Sequence, residues 1–112
     1  GRSRKAVKKR LERGMRTPEE FFREPILVVL LELGGSASMN QVLDGVYRKV
    51  KASLNKYDLQ PLSSDPGAKR WRNTAQWCRL ALVREGLLRS DSPRGTWELT
   101  EEGKKQATKL TR

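Results

Sequence analysis

The spacing of apolar and polar residues along this chain lays out three helices, two short strands and a closing helix. Val42, Leu43, Val46, Tyr47 and Val50 keep a helical period from Met39 to about Ala52, and Ser38 with Gln41 makes a capping-box pattern in front of it. Upstream, Thr17-Pro18-Glu19-Glu20 reads as a helix start with Thr17 as N-cap, but Pro25 interrupts the pattern. A short helical turn followed by a first helix from Pro25 to Leu33, stopped by Gly34-Gly35, satisfies both signals. That helix is apolar nearly all round, so it should be the most buried. Ser36 to Ser38 is long enough only for a single edge pairing. The third helix should run from about Lys69 to Glu85 and end at Gly86. Steps of 100° put Trp71, Thr74, Ala75, Cys78, Ala81 and Leu82 on one face. Lys69, Arg72, Asn73, Gln76, Leu80 and Val83 fall opposite, with Arg79 at the edge.

After the third helix, Leu87 to Ser90 and Thr96 to Leu99 read as two strands joined through Asp91 to Gly95. Thr100 then caps a last helix, with Glu101 and Glu102 in its first turn and Lys104, Lys105 and Lys109 further along. A basic amphipathic helix running into a two-stranded turn is the order of a recognition helix and β-wing. The expected fold is therefore mainly α with a small antiparallel sheet, a winged helix-turn-helix. Residues 1–16 form a basic N-terminal arm or linker, in which Val7, Leu11 and Met15 recur at helical spacing. Residues 17–112 form the single folded domain. Leu54 to Ala68, with two prolines, Gly67 and Ser63-Ser64, is mostly loop, either a short extra helix or a mobile insertion.

Composition narrows the functional classes. At 112 residues there is room for one small core. The longest apolar run, Ile26 to Leu31, is far too short to span a bilayer, and the charged Arg2 to Arg16 stretch is unlike a signal peptide. One cysteine leaves no internal disulfide, and the lack of histidine argues against a zinc site and a Ser-His dyad. Gly34-Gly35 lacks the Lys-Ser/Thr of a phosphate loop, and Asp58 and Asp65 have no partnering motif for two-metal chemistry. An intracellular protein of cytoplasm or nucleoid is expected, without metal, cofactor or catalytic constellation.

Charge placement points to a polyanion. The net charge is +11, and residues 1–16 hold eight Lys/Arg against one Glu, a net +7. Lys69 to Arg94 holds seven basic and two acidic residues, a net +5. Two basic regions on a nearly neutral body suit a directed site better than general solubilisation. Double-stranded DNA is the expected partner, with the third helix in the major groove. Asn73 and Gln76 can pair with adenine, Arg72 with guanine, while Lys69, Arg70 and Arg79 sit where phosphates flank the helix. At the wing, Pro93 stiffens the approach and Gly95 permits a tight turn, so Arg94 projects toward a minor groove or phosphate. Arg2, Arg4, Lys5, Lys8, Lys9 and Arg10 of the arm add backbone contacts. Leu80 and Val83 face outward and suit a second packed element or a dimer contact better than base methyl groups. A homodimer and a covalently linked effector domain both stay open.

Pro25-Ile26-Leu27 with Leu30 are followed by Asn73, Trp77 and Leu82 with Gly86-Leu87-Leu88. Arg94-Gly95-Thr96-Trp97 then leads to Leu99-Thr100-Glu101-Glu102-Gly103. In these residues, over roughly 22–110, the sequence resembles the N-terminal winged-helix domain of Mrr-type restriction endonucleases. The resemblance implies a DNA-recognising domain that works beside a separate cutting domain, which does not occur in these residues. It also implies that Trp77 packs rather than stacks on bases. Thr74 and Cys78 stand where the family usually has Arg and Ala, so fold and DNA binding carry over but sequence preference does not. A stand-alone transcriptional regulator and a protein-interaction winged helix are the alternatives.

Overall fold

Ile26, Leu27, Val29 and Leu30 are all buried, which a helix allows only when neighbours cover it on several sides. In the computed structural model, which describes residues 17–54, 58–59 and 69–111, α1 (Arg23–Glu32) takes that central place. It packs against α2 (Met39–Val50), α3 (Arg70–Arg84) and α4 (Glu101–Leu110). The arm at 1–16 and most of the 54–68 loop lie outside the described residues. Helix α1 begins two residues earlier than Pro25, because a proline in the first turn forfeits only an N–H that has no partner there anyway. A 3-10 turn, Glu19–Phe22, precedes it.

Thr17 does not cap that turn. Pro18 occupies the cap position without a side-chain bond, and Thr17 is spent elsewhere. Its N–H and hydroxyl donate to the two carboxylate oxygens of buried Asp58, at 2.8 and 2.6 Å. The Asp58 carbonyl in turn accepts from Trp71 N–H at 2.9 Å, so the start of the domain is tied to the first turn of α3. Trp71 is also sandwiched by stacked Phe22 and Tyr47, at centroid distances of 6.2 and 5.6 Å. Helix α2 opens on the capping box expected from Ser38 and Gln41, with both reciprocal bonds present, and runs on into a 3-10 turn, Lys51–Ser53.

The sheet differs from the expected wing. Strand β1 (Ser36–Ser38) does make the single edge pairing expected of it, antiparallel with β2 (Thr96–Glu98), Ala37 opposite Trp97. Leu87 to Ser90, expected as a full strand, contributes one bridge, Leu88 to Leu99. Arg89 N–H still reaches the Glu98 carbonyl at 2.8 Å, but the chain then bends away as the Arg89 guanidinium turns to the Asp91 carboxylate, two bonds of 2.9 Å. The molecule is thus mainly helical with a two-stranded antiparallel sheet, an arrangement compatible with a winged helix.

The junction of α3, β2 and α4 explains the motif that closes the chain. Leu99 is core. The Thr100 hydroxyl accepts from Gly103 N–H at 3.0 Å, capping α4, and donates to the Gly86 carbonyl at 2.6 Å. Gly103 lies so close to the Leu87 backbone that a Cβ there would sit 2.0 Å from the Leu87 carbonyl oxygen. Leu-Thr-x-x-Gly is therefore a joint between two helices. Among the described residues no helix is long and apolar enough to cross a membrane.

Candidate nucleic-acid interface

Helix α3 turns Trp71, Thr74, Ala75, Cys78 and Leu82 into the core, as its apolar spacing requires. Ala81 is only half-buried, and Val83, expected outside, is partly buried against the core. The buried arc is therefore wider toward the C-terminal end of the helix than even 100° steps imply. Gln76, Trp77 and Leu80 are exposed, and Asn73 is half-buried beside them.

The wing meets this face through a tight turn. Thr96 N–H donates to the Pro93 carbonyl at 2.9 Å across Arg94 and Gly95, and Gly95 has φ +81°. A positive φ at the third position alone is the signature of a type II turn, which glycine adopts without steric cost. The Gly95 carbonyl accepts from Met39 N–H at 2.8 Å, fixing the turn to the first residue of α2. Arg94 is exposed at its tip.

Between helix and turn lies a cleft of about 400 Å³. Of the residues expected to touch nucleic acid, Asn73, Gln76, Arg79, Arg94 and Gly95 line it together. Among the described residues neither side-chain amide is hydrogen-bonded, and neither Arg79 nor Arg94 has an ion-pair partner. The Nε of Arg79 is buried without a hydrogen-bond partner there. Among the described residues no carboxylate lines the cleft. The two acids of the 69–94 stretch are occupied elsewhere. The Arg23 guanidinium holds Glu85 below the usual carboxylate range, and Arg89 does the same to Asp91. The cleft thus presents positive charge and unspent amides to whatever enters it.

Other expected contacts fall outside it. Lys69 and Arg72 border a second groove, beside Asp44, Tyr47 and Arg48 of α2. Arg72 donates to Asn40 Oδ1 at 2.9 Å, and its guanidinium carbon stands 5.9 Å from the centre of the Trp71 ring. Arg70 is half-buried and borders neither groove. Arg2, Arg4, Lys5, Lys8, Lys9 and Arg10 lie outside the described residues. Burial pushes the Cys78 thiol up to about 12, and nearby Glu19 adds to this, so at neutral pH it is a small core side chain.

Residues that the sequence did not assign to the site also line the cleft, among them Met39, Trp77 and Leu80. Trp77 is the clearest departure from expectation, being 53% exposed rather than packed. Its position between Gln76 and Leu80 was a visible signal, since an indole on the flank of a polar face belongs to the core only if another element covers it.

Comparison with known proteins gives one match. The family model of the Mrr N-terminal domain matches residues 20–109, which takes in every described helix and both strands apart from the last residue of α4 and the first of the 3-10 turn. No curated protein and no solved structure matches. A match over most of the chain, including α3, the wing turn and the Thr100–Gly103 joint, makes this chain a member of the Mrr N-terminal domain family.

Proposed function

We propose that this chain is a double-stranded DNA-recognition module, with α3 entering the major groove and the wing resting on the backbone or in a minor groove. The observation that carries it is the convergence of Asn73, Gln76, Arg79 and Arg94 on one cleft with no carboxylate in its lining. Amides and guanidiniums are the side chains that pair with base edges and phosphates, and the absence of acid leaves the site complementary to a polyanion. Membership of the Mrr family associates the domain with restriction systems. On this reading the chain supplies recognition, and strand cleavage belongs to a covalently linked effector domain.

Titration of mixed-sequence duplex DNA at several salt concentrations tests the reading. With the arm and α3 together neutralising roughly 5 to 8 phosphates, log K should fall against log salt with a slope of about −4 to −7. A slope near zero removes DNA as the natural ligand and leaves exposed Trp77 and Leu80 as a protein-docking face.

A further inference from the structure

Resting on the duplex-binding reading, we infer that the cleft between α3 and the wing receives a single nucleotide taken out of the base stack, its base lying on the indole of Trp77. Size, shape and chemistry of the cleft agree on this occupant. At about 400 Å³ it sits at the small end of the roughly 300–1,000 Å³ range of small-molecule sites, room for one nucleotide rather than a folded segment. Trp71 and Trp97 are each 4% exposed, so Trp77 at 53% is an indole left open at the surface. Met39 and Leu80 extend its apolar wall.

A base that is paired and stacked shows a protein only its edge in the groove. An indole gains a π-face partner from DNA only when a base leaves the stack or has no pairing partner. The remaining lining fits the other parts of such a nucleotide. Asn73 and Gln76 offer donors and acceptors for a freed base edge. The guanidiniums of Arg79 and Arg94 offer positive charge for its phosphate.

The test compares one fully paired duplex with the same duplex carrying a single bulged nucleotide, each titrated with the full chain by anisotropy. The readout is the ratio of the two affinities. The bulged duplex should bind roughly tenfold tighter, the scale of one base stacked on an aromatic side chain. Trp77→Ala should bring the ratio to about one, and Trp77→Phe should restore most of it, because the phenyl ring still offers a π-face. The bulged duplex should also quench the exposed indole emission that Trp77→Ala removes. Because Trp77 is largely outside the core, thermal melting of the variants should match the parent. Equal affinity for the two duplexes, or a preference that survives Trp77→Ala, overturns this inference while leaving duplex binding intact. Failure to bind either duplex overturns both.

Discussion

Asn73 and Gln76 are uncharged, and that separates their contribution from the electrostatic one. Both line the cleft within the first two turns of α3, where a docked recognition helix meets base edges. Each good bidentate pair is worth roughly 1–3 kcal/mol of discrimination against the wrong base. Alanine at either position should flatten preference at one or two base positions and leave the salt slope almost unchanged. Selected-site profiles of parent, Asn73→Ala and Gln76→Ala measure this, and superimposable profiles would end the claim of direct readout. At this scale much was legible in the sequence, since helical spacing alone placed Trp71, Thr74, Ala75, Cys78 and Leu82 in the core. The packing expected of Trp77 came from the family resemblance, but the misplacement of Val83 has a physical reason. A helical wheel gives the direction of a side chain but not what stands opposite it, and that depends on contacts far away in sequence.

Helix ends were legible because their signals are local. Ser38 with Gln41, and Thr100 with Gly103, make their capping bonds within four residues. The pairing of β1 with β2 was not legible, because Ser36 and Glu98 are far apart in sequence and a three-residue strand carries almost no pattern of its own. The wing was half-legible: its turn and Thr96–Glu98 stand as expected, while Leu87–Ser90 keeps only a bridge. Where α4 meets the segment that follows α3, the fit is tight. Gly103→Ala drives a methyl group into the Leu87 carbonyl, backbone against backbone, with no flexible side chain to yield. It should cost at least about 2 kcal/mol, at the upper part of the range for overpacked sites. The urea midpoint should fall with little change in slope; a midpoint equal to the parent's would show that the joint has slack.

Across the molecule, the sequence located the interface better than it chose its members. It put Asn73, Gln76, Arg79 and Arg94 on one side, and the cleft unites them; Lys69 and Arg72 were placed with them, yet border a groove along α2. Helical phase cannot separate these groups, since the wing and α2 flank opposite edges of the same helix face. On the duplex-binding reading, one long-range contact, the grip of Asp58 on Thr17, also gives the molecule a polarity along its ligand. Asp58, whose carboxylate holds Thr17, also accepts from Trp71 N–H through its backbone carbonyl, so Thr17 is tied to the N-terminal end of α3. Chain geometry limits sixteen residues to a reach of at most about 55 Å, some one and a half turns of duplex. On the duplex-binding reading, the basic residues at 1–16 can meet only DNA within that radius of Thr17, which concentrates their charge there and nowhere else. Protection from hydroxyl radicals should therefore be lopsided, extending further past the α3 N-terminus than past the wing. Removing residues 1–16 should trim that one side, and Asp58→Ala, by letting the origin drift, should blur its edge while the wing-side boundary stays sharp.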